Sequence, residues 1–560
     1  MREIHAIMLP ENCKENCKTM IVEKKENLFP RFMSSAVPIK EGMTMFQIVS
    51  GEAAVAKIKS GDHLCIVGNL NLLEPETILY ELEQSFLKSG GPRNLTVLFP
   101  VFLGSMEGRG LDYFAHEGFV RRLVGGSFAS MLPNRKMNEL IFNNKVEAYN
   151  LPMGSFYSLL KNSGGGQPGL FTGVGLHTFA DPRHTGGRLN EITTEDIVEV
   201  VNLDGREWLH YKKLRIDVAI IRGTSVDEKG NISLENEPTT QGIFATALAA
   251  KENGGIVIAQ VRRKITSGSV HPRLVMVPGK LVDFVVLDER DESQVSCYPQ
   301  SVMGGVRQPV EQTEVLPLDH RKVILRRILM ELKKSYLINL GFGIPANLPS
   351  VALEEGVLKD LQFCIEHGPV GGIPGWTGVF GVAMNPDMIL ESTMVFDLYG
   401  AGMLDISCLG MGEVDRHGNV NNHKFKNIIA GTGGFNDIVY RTPRIILAGT
   451  FTAGGLKTAI EDGKLRIQQE GKHKKFIPEV EGITLSAALA REKKQRILYV
   501  TERAVLELGD RGVRLIEYAP GVDVDRDIRG VLDFDLDISP ELKEMDPRIF
   551  QNGPMGVELA

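Results

Sequence analysis

The chain has 560 residues, 43% of them hydrophobic and 24% charged, so it exceeds one hydrophobic core and reads as a soluble globular protein of two or more domains. A formal net charge of -7 and a pI near 6.0 argue against a nucleic-acid footprint. No run approaches roughly 18 uncharged apolar residues, so no membrane-spanning helix is expected; the short patch Ala6 to Leu9, followed by Pro10, Glu11 and Lys14, is no signal core, and a cytoplasmic address follows by default.

Residues 1–43 lack periodicity and carry Pro10, Pro30 and Pro38, which reads as an extension, disordered or draped on the surface. Cys13 and Cys17 have C-x3-C spacing but no second Cys/His pair nearby, so no metal site is expected there. Cys65, Cys364 and Cys408 sit in apolar runs and read as small buried hydrophobes. Regular structure starts near Ser50, with a helical pattern over Glu52 to Ile58, a strand over His63 to Val67, and a helix opened by Pro75 and running to Leu87. The polar, glycine-rich stretch Gly108 to Gly118 holds His116 and Glu117; without a partner these read as loop-ordering groups rather than proton-transfer groups. From there helical and strand-like runs alternate, the signature of an α/β fold with largely parallel sheets.

An internal repeat sets the architecture. Asp217 to Ile232 recurs 188 positions on as Asp405 to Val420, without a gap, each copy an apolar run followed by an Asp-x-x-Gly-Asn turn that suits positive φ at its glycine. Leu64 to Gly68, with Pro75 opening a helix behind it, resembles Tyr336 to Pro345, and the pairs Gly254-Gly255 and Gly433-Gly434 each follow their copy of the Gly-Asn turn. The expectation is two related α/β halves, over 44–300 and 321–550, joined by a linker over 301–320, with ligands beyond the carboxyl ends of the strands in the cleft between them.

Within the second half, Gly341-Phe342-Gly343-Ile344-Pro345 lies between a strand and a helix and reads as an anion site or as close helix–strand packing. It is not a dinucleotide fingerprint, and no phosphate-binding Walker loop occurs. The apolar run Leu361 to Ile365 delivers one carboxylate, Glu366, into a loop holding Gly368, Gly371, Gly372 and Gly375. A carboxylate facing backbone N–H groups at a strand end suits covalent catalysis; a strand-capping Glu beside an ordinary turn is the bland alternative. Gly431 to Asp437 is a second glycine loop, able to offer amides to an oxyanion or simply to make a tight connection. Lys457, with the cluster Lys464, Arg466, Lys472, Lys474 and Lys475, reads as a solvated face or as a contact for a phosphorylated ligand.

Taken together these stretches, with Glu147 to Pro152, Thr193 to Asp196, Phe396 to Asn421, Gly449 to Lys457 and Val500 to Arg503, resemble the family I coenzyme A transferases. The likeness is greatest to their fused, single-chain acetate/propionate type, and it covers about 50–550. It implies that Glu366 is the catalytic glutamate, forming a glutamyl-CoA thioester in a ping-pong exchange of CoA between short-chain acyl-CoA and a carboxylate. It further implies oxyanion or CoA contacts from Gly341, Gly343, Gly371, Gly372, Gly433, Gly434 and Lys457, and an acyl pocket near Asn69, Met153 and His367. No metal and no permanently bound cofactor are implied; CoA is a substrate, no nucleic acid or membrane is a partner, and a homodimer or homotetramer is the default. The sequence departs from the family at His367, often a small polar residue, at Met153, commonly Gln, and in Gly68 to Leu73, which lacks later glycines. An acyl-CoA hydrolase and a non-catalytic acyl-CoA-binding protein are the alternatives.

Overall fold

The computed structural model describes residues 46–69, 72–104, 109–128, 135–288, 300–310, 315–374, 380–426 and 428–560. The expected N-terminal extension, the Cys13/Cys17 pair and parts of the expected linker lie outside the described residues.

The first half is built on eight strands: β1 (Gln47–Val49), β2 (His63–Ile66), β3 (Leu95–Phe99), β4 (Val120–Gly125), β5 (Glu147–Asn150), β6 (Val218–Arg222), β7 (Ile256–Val261) and β8 (Phe284–Leu287). They form one sheet in the order β1-β8-β7-β6-β2-β3-β4-β5, and every neighbouring pair is parallel. Helices α1 (Glu76–Ser89), α2 (Met153–Gly164) and α3 (Ile243–Glu252) connect them. Buried side chains alternate between the two faces: Cys65, Leu98, Ala219 and Ile221 enter one apolar cluster, while Leu64, Ile66, Val97 and Ile220 enter another. A sheet covered on both sides explains why these strands are apolar throughout rather than alternating with polar residues.

The main sheet of the second half has ten strands: β9 (Leu337–Leu340), β10 (Gln362–Cys364), β11 (Pro369–Val370), β12 (Met388–Ile389), β13 (Ile406–Gly410), β14 (Arg444–Ala448), β15 (Arg496–Val500), β16 (Ala504–Leu508), β17 (Val513–Tyr518) and β18 (Asp537–Glu544). Their order is β12-β11-β10-β9-β13-β14-β15-β16-β17-β18, and the run β10-β9-β13-β14-β15 is parallel. That run repeats β3-β2-β6-β7-β8 of the first half, strand for strand. Each copy of the repeat does the same two jobs. Its leading aspartate accepts from the first N–H of the neighbouring strand, Asp217 from His63 at 2.9 Å and Asp405 from Leu337 at 2.8 Å, which pins the strand starts. Its turn aspartate, Asp227 or Asp415, accepts two backbone N–H bonds at 2.9 Å and one from the Asn side chain at 2.9 Å. Gly230 and Gly418 take the positive φ that this turn needs.

The glycine pairs do not correspond. Gly254-Gly255 follow the end of α3, whereas Gly433-Gly434 stand before the start of α4 (Phe435–Arg441), so the same dipeptide closes one helix and opens its counterpart. His116 bonds Glu83 at 2.7 Å and Glu117 bonds Lys145 at 2.8 Å, so both order their loop, as their setting implied.

The halves are joined by backbone and buried polar contacts. Phe128 donates its N–H to the Ala430 carbonyl at 2.9 Å and Phe179 to that of Ile483 at 2.7 Å. Asn150 donates to the Gly125 and Gly126 carbonyls at 2.9 Å and accepts from the Thr432 N–H at 3.0 Å. Asp437 on α4 accepts from the Gly154 N–H and the Ser155 hydroxyl, both at 2.9 Å, so a carboxylate of one half caps the opening turn of α2 in the other.

Candidate active site

In a parallel sheet the side chains and loops at the carboxyl ends of the strands are freed from pairing. Here the carboxyl ends of both sheets face one cleft of about 1290 Å³. From the first half come Asn69 after β2, Val101 after β3, Ser127 after β4 and Met153 after β5. From the second come Gly341 and Gly343 after β9, Glu366 and His367 after β10, Gly410 at the end of β13 and Gly449 after β14. Gly433 and Gly434 close the wall beside Met153, whose N–H donates to the Gly433 carbonyl at 2.9 Å. Eight residues singled out from sequence therefore line one cavity: Asn69, Met153, Gly341, Gly343, Glu366, His367, Gly433 and Gly434.

Three do not. Gly371 and Gly372 have φ of 74° and 72° and form the two-residue connection between β11 and the short strand Ile373–Pro374. A Cβ at Gly371 would meet Asp387, and one at Gly372 would meet the Met384 carbonyl, so both glycines serve turn packing. Lys457 stands exposed on the hairpin of strands Lys457–Glu461 and Lys464–Gln469. The lysine lining the cleft is Lys475, which donates to the Met411 carbonyl at 2.8 Å and whose ammonium is pulled below its ordinary pKa by burial. Two cleft amides are also spent: Gly341 donates to the Cys408 carbonyl and Gly433 to that of Gly126, each at 2.9 Å.

Glu366 is only 6% exposed. It stands where β10 ends, beside Asn339 of β9. The Asn339 Nδ2 donates to the Cys364 carbonyl at 3.0 Å and the Tyr399 hydroxyl at 3.1 Å, and reaches Glu366 Oε2 at 3.5 Å. The Tyr399 hydroxyl in turn donates to the Cys364 carbonyl at 3.1 Å. These bonds hold the strand end that carries the carboxylate. Burial pushes the Glu366 carboxyl up to about 7, opposed weakly by a backbone N–H and by Asn339. The His367 imidazole is pulled down to about 3 by burial and is neutral at physiological pH. Sequence reasoning passed over Asn339 as a site residue, and weighed Lys475 only as one of a basic cluster. Asn339 had a signal, a lone amide inside the apolar strand Leu337 to Leu340.

Among the described residues, no group of three or more His, Cys, Asp and Glu side chains could hold a metal ion, and no helix is long and apolar enough to cross a membrane. What the arrangement offers is a desolvated carboxylate between two walls, with glycine-rich backbone within the same cavity: the parts needed for acyl transfer through a side-chain carboxyl.

Comparison with known proteins agrees with that chemistry. The family model for Coenzyme A transferase matches residues 48–288. The acetate CoA-transferase YdiF of Escherichia coli K12 is 40% identical over 516 residues, 91% of this chain and 96% of that protein. The caffeate CoA-transferase of Acetobacterium woodii is 38% identical over 520 residues, 90% of this chain and 98% of that protein. The crystal structure of YdiF apoenzyme from Escherichia coli O157:H7 superimposes with a TM-score of 0.87 at 40% identity, covering 92% of this chain and 98% of that one. A YdiF thioester complex with CoA superimposes with a TM-score of 0.86 at 39% identity, with the same coverage. A two-half α/β fold, a cleft at the carboxyl ends of both sheets and full-length likeness of this degree place the chain among the coenzyme A transferases, as an enzyme of the single-chain type.

Proposed function

We propose that this CoA-transferase moves CoA between a short-chain acyl-CoA and a free carboxylate of the acetate, propionate or butyrate class, by a ping-pong route through a thioester on Glu366. The observation that carries the proposal is Glu366 itself: a buried carboxylate, pushed up by desolvation, at a strand end in the cleft between the halves. Among the relatives one acts on acetate and another on caffeate, so the acyl end of the pocket is the part expected to differ from one member to the next.

In this scheme the Glu366 carboxylate attacks the thioester carbonyl. The C–S bond breaks, CoA leaves as thiolate, and an acyl-glutamyl anhydride remains. The thiolate then attacks the glutamyl carbonyl and expels the acyl group as a carboxylate, leaving glutamyl-CoA. A second carboxylate enters and the steps reverse. One thioester replaces another, so the exchange needs no net redox or hydrolytic driving force. It needs a positioned nucleophile, exclusion of water and donors for the tetrahedral oxyanions. With the Gly341 and Gly433 amides already engaged, Gly343 and Gly434 are the cleft glycines left for the oxyanion role. Lys475, half-buried and bonded to the Met411 carbonyl, is the cation placed to meet the polar tail of CoA. CoA is a substrate here, not a resident cofactor. Because the nucleophile is the ionised carboxyl, the rate should rise with pH through about 7.

The test is exchange of isotope between labelled acetate and acetyl-CoA, followed by a panel of carboxylates as acceptors. Exchange without net release of free CoA supports transfer. Steady release of CoA in the absence of an acceptor refutes it in favour of hydrolysis.

A further inference from the structure

A segment that only has to keep two halves in one chain needs length and solubility. Residues 301–310, the described part of the expected linker, are built otherwise. Ser301 and Val302 are buried. Val302 enters a small apolar cluster with Leu72 of the first half and Ile373, Val382 and Met384 of the second. Leu72 exchanges two backbone bonds with Asn69, which lines the cleft. Ile373 and Met384 pair across the short strands Ile373–Pro374 and Ala383–Met384, in the chain that follows Glu366. The linker is thus wedged between two loops of the cleft, one from each half. Polar contacts fasten it at one residue, Asn385, which is buried and takes a left-handed φ of 55°, a conformation that asparagine tolerates. The Asn385 N–H donates to the Ser301 carbonyl at 2.8 Å. Its side chain accepts from the Gln308 N–H at 2.9 Å and donates to the Gln308 carbonyl at 2.8 Å. Arg307 also pairs with Asp387 at 2.7 Å, but both are exposed and the pair adds little. From there backbone bonds lead back to the nucleophile: Asp387 N–H to the Val370 carbonyl at 2.9 Å, Leu390 N–H to that of Gly368 at 2.9 Å, and Gly368 N–H to that of Ile365 at 3.0 Å.

We propose that residues 301–310 are a positioning element for the transfer reaction, fastened by Asn385, which hold the loop behind Glu366 so that its carboxyl stands at the depth in the cleft where it meets the thioester. This rests on the CoA-transfer reading above and deepens it. Glu366 has little side-chain anchorage of its own, with Asn339 Nδ2 no closer than 3.5 Å. Its place is therefore set by the chain on either side. The strand before it is held by Asn339 and Tyr399 through the Cys364 carbonyl. The loop after it is held by the linker. The groups assigned to CoA are fixed elsewhere, Lys475 by the Met411 carbonyl and the Gly433-Gly434 wall by Gly126 and Met153. Loosening the linker displaces the nucleophile and leaves the CoA contacts in place, so it lowers kcat and spares the affinity for CoA.

Two altered proteins separate positioning from tethering. Replacing residues 301–310 with a Gly/Ser sequence of the same length keeps the tether and removes the packed contacts. Its kcat should fall by about tenfold to a hundredfold, since a misplacement of about 1 Å can cost about a hundredfold, while the Kd for CoA stays at the wild-type value. A protease site inserted at 311–314 and then cut breaks the tether and leaves the contacts, and the nicked protein should keep its kcat. Asn385→Gly accepts the left-handed backbone and removes only the side-chain bonds. It should lose kcat in the same way, and Asn385→Asp, which still accepts from the Gln308 N–H, should lose less. A purely structural role would lower Tm and leave the kcat of the folded fraction unchanged, as expected for Leu506→Ala in the core of β16. An Asn385→Gly protein with wild-type kcat overturns the inference, as does a nicked protein that loses its kcat or a Gly/Ser protein whose loss lies in the Kd for CoA. If the Gly/Ser protein does not fold, the two Asn385 variants decide. A wild-type protein that transfers CoA to no acceptor overturns the CoA-transfer reading itself.

Discussion

Replacing Glu366 with Gln should make the protein more stable at alkaline pH while removing transfer. The substitution keeps shape and volume and removes only the ionisable group. The fold raises this carboxyl from 4.5 to about 7, so it favours the protonated form. A group whose folded value lies above its unfolded one costs stability once the unfolded chain would ionise. The cost is absent below about pH 4.5, grows up to about pH 7 and is constant above it. At about 1.4 kcal/mol for each factor of ten in proton affinity, the displacement amounts to about 3 kcal/mol at pH 8. A chain of this size has an unfolding entropy near 1.2 kcal/mol per degree, so the Tm of Glu366→Gln should rise by about 2–3 °C at pH 8 and match wild type below pH 5. Thermal unfolding of both proteins at the two pH values reads this directly. A Tm that falls at pH 8 would show that Glu366 is stabilised as an anion, and a difference that does not change between the two pH values would show that its pKa is not shifted by folding; either result would refute the desolvation argument.

Glu366→Asp should lose at least about a hundredfold in kcat with folding intact, because the carboxyl retreats by roughly 1.5 Å and a misplacement of about 1 Å can cost that much; steady-state transfer assays measure it. Asn150→Ala removes two donated bonds and one accepted bond at the junction of the halves, and buried groups left unpaired should cost about 2–4 kcal/mol, seen as a Tm lower by about 2–3 °C. Gly154→Ala should destabilise by about 1–3 kcal/mol although alanine is the better helix former, since its Cβ would sit 2.2 Å from the Phe396 ring and 2.7 Å from Asp437 Cγ; chemical denaturation gives the sign.

Much of the architecture was legible because the chain states it twice. The repeat from Asp217 and from Asp405 carries strand, turn and register in residue types that each have one structural use, and the structure returns the same bonds in both copies. Glu366 was legible for a related reason: an apolar strand that ends in a carboxylate and a glycine loop is a local pattern, and the local geometry follows it. Dipeptides that serve more than one purpose misled. Gly254-Gly255 and Gly433-Gly434 look equivalent in the string but occupy opposite ends of equivalent helices. Gly371 and Gly372 are selected by a turn, although their neighbour Glu366 made them look like part of the site. Long-range placement was not readable at all. Lys457 and Lys475 belong to one basic cluster in sequence, and it is long-range pairing, of Thr452–Ala453 with His473–Lys474 and of the Val414 N–H with the Lys475 carbonyl at 2.8 Å, that sets the second of them at the cleft. Asp437 gave no sign that it caps a helix of the other half, because its partners Gly154 and Ser155 lie more than 280 positions away.

The central claim is that CoA becomes covalently attached to the side chain of residue 366 during turnover. Incubation with acetyl-CoA, trapping with hydroxylamine and peptide mapping by mass spectrometry test it most directly. The account predicts a hydroxamate on the peptide carrying Glu366, absent from Glu366→Gln. An unmodified peptide recovered while transfer product accumulates would contradict it.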